Sequence, residues 1–194
     1  MTMDPSNSYT NVTFRHADAM AVAKAVADMH RFNVISPVHK DCVVVFDRAS
    51  DDNGELIVDF ARIVSKTLDT TALAVMNHEN SVLLYWLFNG EEELGSYVSR
   101  PNFFGGEPIP RGGDAITLAN AWGQSHNGER VHEVLHGDAE TDHGDYESEV
   151  RRHKDLVDAL GLSHWAVGYG YTRLANDEFP GGFPPDDTFF TEPS

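Results

Sequence analysis

Cysteine is almost absent from this sequence: Cys42 stands alone in 194 residues. A single cysteine excludes an internal disulfide and a thiolate metal cluster built within one chain. It opens the apolar run CVVVF, where a buried, inert thiol is expected rather than a nucleophile. Basic residues are scarce too, with 14 Lys and Arg against 31 Asp and Glu, for a formal net charge of −17. That balance argues against nucleic acid held through its phosphates, and against anionic membrane surfaces. It favours a basic protein as partner, because opposite charge speeds encounter, although acidity also serves solubility alone. Long hydrophobic runs are missing: VLLYWLF at 82–88, among the longest, is far too short to span a bilayer. The first residues, MTMDPSNSYTNVTF, lack the basic-then-apolar order of a signal peptide, so the chain reads as cytoplasmic.

Several catalytic signatures are missing as well. No Gly-rich phosphate loop follows a strand, and GYG at 168–170 sits in a segment read as strand. There is no G-x-S-x-G elbow, and Ser125 and His126 of WGQSH, being sequence neighbours, do not face each other productively. Nothing calls for a cofactor.

What is present is enough for a folded core: 41% of the residues are hydrophobic and 10% aromatic. YTNVTFR at 9–15 alternates as a strand does, and residues 18–30 follow as a helix capped by Asp18, with Met20, Val22, Ala23, Val26 and Met29 as its stripe. NVISPVHK reads as a connection, CVVVFD at 42–47 as a central strand, and DRASDDNG as turn chemistry. ELIVDFARIVSKTL is a helix with Leu56, Phe60, Ile63, Val64 and Leu68 on one face. From Thr71 the period changes to that of three successive strands, TALAVMNH, SVLLYWLFNG and LGSYVS. After the Pro/Gly loop at 100–113 come three helices: DAITLANAWG capped by Asp114, ERVHEVLHG, and YESEVRRHKDLVDALG ended by Gly161. WAVGYGY at 165–171 returns to strand character. Strands and helices in separate runs predict an α+β fold, a mixed or antiparallel sheet with helices packed on it. The reading divides a single domain, 1–172, into an N-terminal lobe (9–99), the loop and a C-terminal helical lobe (114–172), with 173–194 as a Pro/Gly-rich tail. The aromatic stretches YWLF at 85–88 and NFFGG at 102–106 are core or contact surface.

The segment RVHEVLHGDAETDHGD at 130–145 carries the sharpest chemical signal. His132, Glu133 and His136 have the H-E-x-x-H spacing of zinc proteases, in which two His on one helix face bind the metal and the Glu activates its water. Asp142 or His143 would supply the third ligand. Against that chemistry, the helix starts only near Gly128 or Glu129, and Val131, Val134 and Leu135 form its apolar stripe. His132 and His136 then flank the stripe while Glu133 points to water, and Ala139 stands where the longer protease motif has glycine. Counted from Asp138, Glu140, Asp142 and Glu149 also fall at positions three, five and twelve of a calcium loop, but His143 occupies the place that needs Gly. An acidic loop that caps the next helix accounts for the same residues.

The stretch HKDLVDALGLSHWAVGYGYTRLANDEFPGGF at 153–183 resembles the ending of an uncharacterised bacterial protein family. In that family a helix closing in L-G-L leads to an A-V-G-x-G-Y strand and an acidic E-x-P-x-G-like turn. VVVFD at 43–47 and GGD at 112–114 resemble its other landmarks, whereas H-E-x-x-H is no part of the likeness. No activity is attached to the family, so the resemblance assigns no catalytic residue. Three functional classes follow. The first is a non-enzymatic, acidic protein that binds and neutralises a basic one, in the manner of an immunity protein or inhibitor. The second is a zinc-dependent hydrolase on His132, Glu133, His136 and Asp142. The third is a small-ligand sensor with its pocket between sheet and C-terminal helices.

Overall fold

The computed structural model describes residues 8–107, 109–137, 146 and 148–193. Its centre is the set of strands whose apolar alternation is strongest: β1 (Tyr9–Arg15), β3 (Cys42–Asp47), β4 (Thr71–His78), β5 (Val82–Asn89) and β6 (Glu92–Val98). Three short strands complete the sheet: β2 (Asn33–Ile35), β7 (Arg111–Gly112) and β8 (Phe189–Thr191). The order is β7-β6-β5-β4-β1-β3-β2-β8, and each neighbouring pair is antiparallel. The helices are α1 (Ala19–Ala27), α2 (Arg48–Asp52), α3 (Leu56–Leu68), α4 (Ala115–Ala121), α5 (Gly128–His136), α6 (Glu149–Leu160) and α7 (Tyr171–Ala175). The expected α+β class is what the chain adopts.

Side chains alternate across the sheet, so each face has its own core. Val12, Phe14, Val43, Val45, Ala72 and Ala74 meet Val22 and Val26 of α1 and Phe60, Ala61 and Val64 of α3. Leu73, Val75, Leu83, Tyr85 and Tyr97 face the other way, against Leu118 of α4, Val134 and Leu135 of α5, and Leu156 and Leu160 of α6. Farther along that second face, Val44 and Phe46 pack on Trp165, Leu174 and Phe183. Burial on both faces is why β3 reads as an unbroken apolar run. Helices α4, α5 and α6 are thus a layer on the sheet, sharing one core with β4, β5 and β6.

Several local expectations change. WAVGYGY is no strand: residues His164–Ala166 form a 3-10 turn, Gly168 has φ +80°, and Gly170 precedes α7. A Cβ on Gly170 would overlap the Asp51 carboxylate, whose Oδ2 accepts from Thr172 N at 2.9 Å and whose Oδ1 accepts from Thr10 N at 3.0 Å. The glycine therefore serves a side-chain clasp between α2, α7 and β1. NVI within the expected connection is β2, and RASDD within the expected turn is the short helix α2, capped by Asp47 through Ser50 N. Residues 173–193 lie on the domain: Phe183 is buried and β8 pairs with β2 through Ile35 and Phe189. The helical stripes are rotated from those expected, leaving Met20 and Ile63 exposed while Ala19 of α1 and Ile57 and Ala61 of α3 are buried. Among the described residues, no helix is long and apolar enough to cross a membrane.

Candidate functional site

The HEVLH helix begins at Gly128 and stops at Gly137, whose φ of +76° ends it. Its apolar stripe, Val131, Val134 and Leu135, is fully buried, which turns His132 and His136 to the flank, toward the β6–β7 edge. There the Gly112–Gly113 pair is obligatory. Both residues have positive φ, +75° and +79°. A Cβ on Gly112 would overlap the Ser96 carbonyl, and one on Gly113 would stand 2.8 Å from the Tyr97 ring. The turn delivers Asp114 to cap α4, accepting from Ile116 N and Thr117 N at 3.0 and 3.1 Å. These bonds hold the Asp114 carboxyl below the usual carboxylate range.

Between these elements lies a groove of about 840 Å³, lined by Gly95, Gly113, Asp114, Ile116, Glu129, His132 and His136 among others. GGD and HEVLH, separate in sequence, both contribute to its wall. His136 Nε2 lies 3.0 Å from the Gly113 carbonyl, which can only accept, so Nε2 carries the hydrogen. In the neutral ring Nδ1 is then the nitrogen with a free lone pair. The His132 ring lies 4.9 Å away, tilted by 36°.

His136 is held from beneath. Helix C-termini leave carbonyls without partners, and here two side chains supply them. Tyr97 Oη donates to Leu135 O at 2.5 Å, and Arg152 Nη1 donates to Val134 O at 2.6 Å. Arg152 also donates through Nε to Glu149 Oε2 at 2.9 Å, and Arg100 Nε lies 3.4 Å from Glu149 Oε1. Burial pushes the Glu149 carboxyl upward, and the arginines oppose that shift. The residue at position twelve of the calcium spacing is therefore fully buried and committed to arginines. Asp138, Glu140, Asp142 and His143 lie outside the described residues.

Glu133, the proton-transfer group of a zinc protease, is not part of the groove wall. It is half exposed and receives Arg130 Nη1 at 3.0 Å. Among the described residues, no three of His, Cys, Asp and Glu are grouped so as to hold a metal ion. Cys42 is buried, and burial pushes its thiol up to about 11, so it is no nucleophile at neutral pH. Ser125 and His126 form an exposed turn before α5. Of the aromatics, Tyr85 and Phe88 are core, whereas Phe103 and Phe104 are exposed. Sequence reasoning missed the part played by Gly112, Gly113, Tyr97 and Arg152. The one signal available was the adjacent glycines before a capping Asp. No family model, curated protein or solved structure matches the chain.

Proposed function

We propose that this chain is a non-catalytic, acidic binding protein, of the immunity or inhibitor kind, whose partner is a basic protein. The observation that carries this reading is a cluster of exposed apolar side chains. Phe103, Phe104, Ile109 and Ile116, four of the eight large apolar side chains exposed among the described residues, lie within one short stretch that leads into the groove. Phe103 stands edge-on to both His78 and Phe104, with ring centroids 5.3 and 5.2 Å apart. Exposed aromatic anchors are what binding surfaces use, and the net charge of −17 selects basic partners and speeds their approach.

The test begins with capture from cells of the source organism, followed by reconstitution from purified components. Reconstitution with a basic protein, weakened by salt and weakened about tenfold or more by Phe104→Ser, supports the reading. A purified pair that binds the variant equally well, or an acidic partner, overturns it.

A second reading rests on His136. A ring N–H donated to a backbone carbonyl is how metal-binding histidines are oriented, leaving the other nitrogen for the ion. His132 and His136, with Asp142 as the third ligand, would then form the zinc site of a hydrolase. Zinc titration of untagged protein decides it. Stoichiometric binding lost in both His132→Ala and His136→Ala supports the site, and substoichiometric binding rejects it.

A further inference from the structure

A second cavity lies away from the groove, and its walls carry a different chemistry. The end of β1 supplies Arg15 and His16, and the turn before β3 supplies Lys40 and Asp41. Opposite them stand Trp122, Gly123 and Gln124 after α4, and Leu160, Gly161 and Leu162 at the end of α6. Together they enclose about 300 Å³, with the buried Cys42 also in the wall.

Two cations meet here without carboxylate partners. Arg15 Nη1 donates to Ala121 O at 2.5 Å, and Lys40 Nζ donates to Leu162 O at 3.1 Å. Both acceptors are neutral carbonyls, and among the described residues neither cation forms an ion pair. Asp41 is the one acid in this wall, against Arg15, Lys40 and the titratable His16. Asp18 and Asp69 border the adjoining cleft on the far side of Arg15, and Asp18 caps α1. In a chain with 31 acids and 14 bases, Arg15 and Lys40 thus share a cavity wall in which Asp41 is the one acid.

Room for the guanidinium is built in. Gly123 has φ +71°, and a Cβ there would stand 2.6 Å from Arg15 Nη2. The Trp122 side chain, only 4% exposed, belongs to the apolar core and closes one side of the wall. Guanidinium and ammonium are both charged donors, and the ligand class that satisfies both is an oxyanion.

We propose that this cavity binds the phosphate group of a small molecule. Arg15 and Lys40 supply the charge and the donors, and the volume admits a phosphate with a small organic body. Free phosphate and a phosphorylated metabolite share this chemistry.

The test uses the full chain, with inorganic phosphate, glucose 6-phosphate and adenosine monophosphate as probes at constant ionic strength set by chloride. Binding is read by calorimetry, and by tryptophan emission because Trp122 is in the wall. Saturable phosphate binding, weakened about tenfold or more in Lys40→Gln, supports the site. Lys40 is exposed, so this variant should keep the wild-type circular dichroism, and Arg15→Gln serves as a second, more severe loss. Tighter binding of either organic phosphate than of phosphate itself identifies a metabolite site, and equal binding identifies a free-anion site. No saturable response to any probe into the tens of millimolar, or equal responses in wild type and Lys40→Gln, overturns the proposal.

Discussion

Helices α5 and α6 pack on the same sheet face and both carry histidines, but they use polar groups in opposite ways. On α6, Glu149, Arg152 and His153 are all fully buried. Arg152 ties Glu149 to the last carbonyls of α5, and His153 Nδ1 bonds Tyr9 Oη at 2.8 Å with the rings stacked. On α5, His132 is exposed, His136 is partly so, and one ring nitrogen of His136 is left free to face a ligand. The polar groups of α6 thus hold the scaffold together, whereas the histidine pair of α5 stays accessible in the groove wall.

Removing Arg152 is the harshest way to break this comparison. Arg152→Met removes the nearer of the two arginines from the buried Glu149 carboxylate and strips Val134 O and Leu135 O of a donor. Such losses typically cost about 3–5 kcal/mol. Urea unfolding should show a large drop in midpoint, and the histidine pair should lose its fixed geometry with it. A small drop would mean that α5 is positioned by its apolar stripe alone.

His153 gives the next effect, which depends on pH. Burial lowers its pKa from 6.5 to about 3. Between those values the unfolded chain binds a proton that the folded chain refuses. Its contribution to stability is thus complete above pH 6.5 and is lost as pH falls toward 3, by about 1.4 kcal/mol per unit. Because carboxylates titrate in the same range, the readout is a difference: His153→Gln should flatten the slope of unfolding free energy against pH relative to wild type. Parallel curves would place His153 outside the acid response.

The groove wall offers a sharper and smaller contrast within one strand pair. Gly112→Ala combines positive φ with overlap on the Ser96 carbonyl and should cost about 1–3 kcal/mol. Gly95→Ala, on the same groove, meets no atom within 4 Å and should change stability by no more than about 0.5 kcal/mol. Equal effects in thermal melts would show that β7 tolerates displacement and that the turn does not fix the groove.

These contrasts follow how far each part was legible in the sequence. Long periodic elements were, because their apolar faces bury against a whole layer: β4, β5 and β6, the α5 stripe and the caps at Asp18, Asp114 and Gly161 all stand where the pattern puts them. Strands of two or three residues, β2, β7 and β8, are too short to carry a period and exist only by pairing. WAVGYGY failed for another reason. Gly170 answers to the Asp51 carboxylate, a contact more than a hundred residues away in sequence. The groove was legible as two motifs, GGD and HEVLH, but not as one site. Their meeting depends on Tyr97 and Arg152, whose partners are backbone carbonyls that no side-chain pattern announces.

The smallest effect separates the two groove histidines themselves. His132 makes no hydrogen bond among the described residues beyond its contact with the His136 ring, so His132→Ala should leave stability within about 0.5 kcal/mol. His136→Ala removes the donor of the Gly113 carbonyl and should cost about 1 kcal/mol. Nitrogen-15 NMR of the imidazoles at neutral pH reads the same asymmetry directly. His136 should keep its hydrogen fixed on Nε2, while His132 averages between tautomers. If His136 also averages, the Gly113 bond does not orient the ring. Both rings are then free surface side chains, and the metal reading of the groove loses its one supporting observation.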